Sequence, residues 1–244
     1  MENNFNVLVV VDNDFAYGVK QGFYSDIKPI PGSKIMSVDE FNENKINAPM
    51  PMLNGKDIYI RNPYTKNSFL FIEDENVEID MIYSRACAIR EALIMMGAKD
   101  IIMKEDISDN SENETNARSK AGVKAIASGK VDVEFIKKMS LQIKSAIESH
   151  EPNRQPHSPE AVMEFLRTHN LLNDTNLCLF AERLEREGHL AGIEKLDILF
   201  GSEMESALKI LSNINYKVFN ADLNFESKQK NLHKITKSLE VNFG

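Results

Sequence analysis

The stretch from Asp80 to Ile107 constrains the chain most, because it encodes a helix, a tight stop and a strand in one continuous run. Apolar side chains recur at Ile82, Ala86, Ile89, Leu93 and Met96, in alternating steps of four and three that line one face of an α-helix. Gly97 then offers the left-handed conformation that closes a last helical turn. Beyond it Ile101, Met103 and Ile107 fall on one side and Lys104, Asp106 and Ser108 on the other, which is the two-residue period of a half-buried strand. The C-terminal part repeats this order. Ser202-Glu203-Met204-Glu205 reads as a capping box that opens a helix through Met204, Ala207, Leu208, Leu211 and Ile214. Alternating runs follow at Phe219 to Glu226 and Ser238 to Phe243. Two helix-strand-strand units predict an α+β fold: two layers, a mostly antiparallel sheet, and helices on one face.

Other elements are legible between these units. Val7-Leu8-Val9-Val10-Val11 predicts a strand buried on both faces. Gly18 to Asn54 holds several prolines and little periodicity, predicting irregular connection with one short helix near Val38 to Asn44. Ile58 to Ile60 and Phe69 to Ile72 predict a hairpin turning through Asn62-Pro63-Tyr64, with Tyr64 at its tip. Ser108 to Asn116 has nothing to bury, and odd positions from Ala121 to Phe135 alternate with polar ones as a strand or hairpin. Ile136, Met139, Ile143, Ala146 and Ile147 predict a helix. Ser158-Pro159-Glu160 opens another, and Asp174 caps a third, Leu177 to Glu187, which ends at Gly188. Leu196, Ile198 and Phe200 alternate as a strand. The predicted organisation is an N-terminal α+β part (1–135), a helical insertion (136–190) and a C-terminal strand-helix-hairpin that completes the sheet (191–244).

Composition narrows the function classes. Hydrophobic residues make up 42% and charged residues 27% of the 244 positions, as in an ordinary folded protein. The formal charge of −8 opposes general binding to nucleic-acid phosphates. Cys87 and Cys178 sit inside helical apolar patterns, which predicts reduced thiols and a cytoplasmic setting. The N-terminus has no basic region, Val7 to Val11 is too short for a signal peptide, and no stretch reaches the ~20 apolar residues of a membrane-spanning helix.

Chemistry is sparse. Asp12 and Asp14, just past the end of the valine-rich strand, are the candidate metal ligands: Asp12 as ligand or nucleophile, Asp14 as acid, base or second ligand. Val7 to Asp14 resembles the opening of a haloacid-dehalogenase phosphatase or a PIN-like nuclease. That resemblance implies a divalent metal and phosphoester chemistry. It stops there, since Phe15-Ala16-Tyr17 replaces the expected small hydroxyl residue and no downstream acidic pair completes a site. Arg183 and His189 have the separation used by HEPN ribonucleases, but Gly188 should end that helix between them. With no complete catalytic constellation, the first expectation is a non-catalytic interaction module or assembly subunit without cofactor, binding a protein partner or itself. Its candidate contact residues are Tyr64, Asn220, Asp222 and Asn224. The alternatives are a metal-dependent phosphohydrolase or nuclease using Asp12 and Asp14, and a membrane-inserting β-hairpin component drawing on 99–135 and 216–243.

Overall fold

A computed structural model describes residues 5–24, 31–51, 56–66, 68–104, 133–201 and 235–244. The class is α+β, with mostly antiparallel pairing, and the described strands divide between two four-stranded sheets. The described residues fall into two compact units, one within residues 5–78, the other within 79–201 and 235–244.

The first unit begins with β1 (Val7–Val11), buried at every position as its valine run predicts. A helix, α1 (Asn13–Lys20), follows at once and leads into β2 (Ser33–Ser37), which lies parallel to β1 from Val7↔Ser33 to Val11↔Ser37. β2 corrects the sequence reading, which left Gly18 to Asn54 largely irregular, and α1 was not foreseen. Ser33 to Ser37 has only Ile35 and Met36 as apolar residues, too short a pattern to declare a strand until β1 supplies its hydrogen bonds. The short helix expected near Val38 is present as α2 (Val38–Glu43), opened by a full capping box between Ser37 and Glu40.

On the other side of β1 lies β3 (Lys56–Arg61), antiparallel to it, and then β4 (Phe69–Phe71), giving the order β2-β1-β3-β4. The predicted hairpin is therefore present. Leu8, Val10, Met36 and Tyr59 meet Phe5, Phe41 and Phe69 in one core cluster, while Val7, Val9, Ile58 and Ile60 are buried as well. Phe41 and Phe71 both lie with ring centroids 5.6 Å from that of Tyr59. Burial pushes the Tyr59 phenol above its ordinary range, so the ring stays neutral in the core.

The second unit is built on α3 (Val77–Met95), β5 (Asp100–Met103), α4 (Val133–Ile147), β6 (Ser149–His150), α5 (Pro159–Thr168), α6 (Thr175–Glu187), β7 (Ile193–Phe200) and β8 (Ile235–Asn242). Its sheet runs β6-β5-β8-β7, antiparallel throughout. The predicted stripe of α3 is fully buried, and so are Met81, Ala88, Ala92, Ile94 and Met95 outside that stripe. A helix enclosed on most of its circumference belongs to a core rather than a surface. Gly97 ends the segment at φ 96°, where a Cβ would also approach Pro156 to 3.3 Å, so both conformation and space select glycine.

Alternation in β7 and β8 reads as expected: Leu196, Ile198 and Phe200 face the core with Ile235, Leu239 and Val241, and the opposite face carries Lys195, Asp197, Ser238 and Glu240. Ser158 and Asp174 cap α5 and α6, and Gly188 closes α6 at φ 75°. Val133 to Phe135, assigned to a strand by alternation, is instead the first turn of α4. β6 was not foreseen; two residues carry no period. The second copy's helix, the strand from Phe219 and most of 121–135 lie outside the described residues. Among the described residues no helix is long and apolar enough to cross a membrane.

Candidate functional site

Parallel pairing of β1 and β2 brings both of their carboxyl ends to one edge of the first sheet, the place where open sheets of this connectivity commonly bind ligands. Asp12 and Asp14 stand there after β1, and Asp39 and Glu40 after β2. The Asp12 carboxylate caps α1, accepting the Phe15 backbone N–H at 2.7 Å. Asn13 donates through Nδ2 to Asp39 Oδ2 at 2.7 Å, and the Asp39 N–H returns to Asn13 Oδ1 at 3.4 Å. This tie welds the start of α1 to the start of α2. The Lys20 ammonium bridges to Glu40 at 2.5 Å; that bond, with the Ser37 backbone N–H, holds the Glu40 carboxyl below the usual carboxylate range. Asp14 lies in the first turn of α1, where an acid favours the helix dipole. Among the described residues no three His, Cys, Asp or Glu side chains are grouped to hold a metal ion.

Lys56 opens β3 opposite Val11, and its Nζ lies 4.8 Å from the centre of the Phe15 ring. Burial draws this amine below its ordinary range, while the Asp12 charge works in the opposite direction. Phe15 stacks on Tyr24 with centroids 4.7 Å apart. Tyr24 reaches it by folding back across Gly18, where a Cβ would meet the tyrosine ring at 2.5 Å, so only glycine permits the approach. Tyr17 and Phe23 form an edge-on pair at 6.3 Å. Exposure is high for this aromatic group: 61% for Tyr17, 73% for Phe23 and 40% for Tyr24.

Of the contact residues expected from sequence, Tyr64 is corrected: it is 3% exposed. The hairpin tip coils inward, with the Asn62 N–H donating to Ser68 O at 2.8 Å and the Asn62 side chain accepting the Tyr64 N–H at 3.1 Å, which tucks the ring inside. Asn220, Asp222 and Asn224 lie outside the described residues. Tyr17, Phe23 and Tyr24 went unnoticed because α1 was not recognised; the signal available was four aromatics between positions 15 and 24 in a segment without an apolar period. Arg183 ion-pairs with Glu194 at 2.6 Å, and α6 ends at Gly188 before His189, so the arginine and histidine do not share a helix. Cys87 and Cys178 are both free and half-buried. No family matches the chain, and neither a curated protein nor a solved structure matches it.

Proposed function

We propose that this chain is a non-catalytic protein-interaction module or assembly subunit that works in the reducing cytoplasm, with the aromatic flank of α1 as its contact surface. The observation that carries this reading is the exposure of Tyr17, Phe23 and Tyr24 as neighbours on one short helix and its closing turn. Each aromatic side chain left in water forgoes roughly 25 cal/mol per Å² of apolar burial, a cost that a bound partner recovers. Tyrosine and phenylalanine are enriched at protein interfaces, and their few rotatable bonds make ordering them cheap. Gly18 strengthens the reading, since it allows Tyr24 to be held against Phe15 in a preformed arrangement.

Photo-crosslinking tests this. A benzophenone amino acid replacing Phe23 or Tyr17 in the producing cell is expected to give one discrete protein adduct, or a crosslinked dimer of the chain, in high yield. The same group replacing Leu141, which is 67% exposed on α4, is expected to give at most a trace. Equal yields at all three positions would remove the basis for the proposal.

The metal-dependent phosphohydrolase or nuclease is the second reading, favoured by one observation: the β1-α1-β2 crossover sets Asp39 beside Asn13, between Asp12 and Asp14 in sequence. On this reading a divalent ion is held by Asp12 and Asp14. Saturating Mg²⁺ or Mn²⁺ would then stabilise the wild-type chain by about 1–3 kcal/mol and the Asp12→Asn variant not at all. Equal melting temperatures with and without ion would reject it.

A further inference from the structure

We propose that the outer edge of β7 is a self-pairing surface: a second copy of this chain adds its own β7 to it, antiparallel, about a two-fold axis at Leu196. Among the described residues β7 is the last strand of the order β6-β5-β8-β7, with β8 on one side only. It is eight residues long and holds neither proline nor glycine. Its backbone direction follows from Gly192, whose carbonyl accepts the Phe243 N–H at 2.9 Å and whose N–H donates to Gly244 O at 3.1 Å. Gly192 therefore faces β8, and the two-residue period of an antiparallel ladder turns Glu194, Leu196, Ile198 and Phe200 the same way. The N–H and C=O groups of Ile193, Lys195, Asp197 and Leu199 point to the outer edge. Asn176 marks that direction, donating through Nδ2 to Asp197 O at 3.2 Å. A carbonyl oxygen has two lone pairs, so this bond leaves a second for an arriving strand.

Folded proteins ordinarily blunt an edge this long and regular, by proline, a bulge or charges of one sign. Here the side chains select a register instead. Ile193, 64% exposed, and Leu199, 44% exposed, flank Lys195 and Asp197 on the open face. When two copies run antiparallel about Leu196, Lys195 of each falls opposite Asp197 of the other, and Ile193 opposite Leu199. These are the same four residues whose backbone groups face outward, so one alignment matches side chains and hydrogen bonds together. Sliding the second copy by two residues in either direction sets Lys195 against Lys195 or Asp197 against Asp197, which is repulsive. The Ser238 hydroxyl donates to Asp197 Oδ1 and keeps that carboxylate on the open face.

A second copy is therefore the occupant that offers charge, apolar and backbone complementarity at once, through an isologous contact that makes one continuous sheet of two. The contact lies in the second unit and uses none of the α1 aromatics, so it is independent of the interaction surface on α1.

Sedimentation velocity on the full chain tests this. Wild type is expected to pass from monomer to dimer between micromolar and submillimolar concentration. Lys195→Asp and Asp197→Lys each set two like-charge pairs across the axis and should weaken the dimer about tenfold or more, while combining them restores it to within about threefold of wild type. Circular dichroism checks that each variant keeps the wild-type fold. A second measurement needs no variant: carbodiimide coupling of an equimolar mixture of unlabelled and heavy-nitrogen-labelled wild-type chain is expected to join Lys195 to Asp197 in peptides of mixed isotope. A chain that stays monomeric at submillimolar concentration, a dimer that both single exchanges leave unchanged, a folded double exchange that fails to restore it, or a dimer without the mixed-isotope peptide would overturn the proposal.

Discussion

Leu93→Ala is expected to lower the unfolding free energy by about 3–5 kcal/mol, the upper part of the range for a buried leucine. Leu93 is fully buried in α3, and so are Ile89 and Met96 on the same stripe and Ala92 and Ile94 beside it. The cost of such a truncation has two parts: the transfer free energy of the lost methyl groups, and the cavity that remains if neighbours cannot close it. A helix buried on one side only can shift toward its core and recover part of that cavity. One enclosed on most of its circumference has packing on the far side that resists the shift. The Leu93 carbonyl is also held, accepting the Ala98 N–H at 3.0 Å in the turn that Gly97 makes. Urea denaturation monitored by circular dichroism measures the effect. The exposed Leu141→Ala on α4 serves as the control and should stay within about 0.5 kcal/mol of wild type. A loss below 1 kcal/mol at Leu93 would show that α3 is not the centre of the second unit.

Asp174→Ala is the second large effect, expected at about 3–5 kcal/mol because one carboxylate does two jobs. One oxygen caps α6 by accepting the Leu177 N–H at 3.3 Å, and the other faces Arg85 Nη2 at 3.5 Å. Arg85 is buried in α3, and its guanidinium also lies 5.7 Å from the centre of the Phe200 ring at the end of β7. The cap alone is worth about 1 kcal/mol. The remainder comes from removing the carboxylate that faces the buried Arg85 guanidinium. Asp174→Ser separates the two jobs, keeping the cap and removing the charge, and should retain only about 1 kcal/mol of advantage over alanine. Combining Asp174→Ser with Arg85→Leu removes the buried charge altogether and is expected to recover most of the loss. If alanine costs no more than the cap, the ion pair contributes nothing and the link between α3 and α6 rests on apolar packing alone.

The candidate site shows why some features were legible in sequence and others were not. Asp12 and Asp14 could be picked out because a valine run followed by acids is a local pattern, but local sequence does not say whether such an acid binds an ion or caps a helix. The cap was found only when α1 was seen to start at Asn13. Tyr64 illustrates the opposite failure. A tyrosine in a turn implies exposure, and the Asn62 hydrogen bonds that coil the turn inward have no signature in hydrophobic pattern. Tyr24 stacks on Phe15 only because Gly18 leaves room for its ring.

By itself the sequence determined the elements whose cause is local or periodic. These are β1 from its valines, α3 from its stripe and Gly97, α5 and α6 from their caps, and β7 and β8 from strict alternation. Each is specified within one or two turns or strands, where propensity, capping and burial period agree. Tertiary structure alone decided which strands became neighbours: β2 beside β1 in parallel, β6 against β5, and the division into two sheets. Those choices depend on surfaces far apart in the chain, and a strand as polar as Ser33 to Ser37 becomes a strand only when a buried neighbour offers it hydrogen bonds.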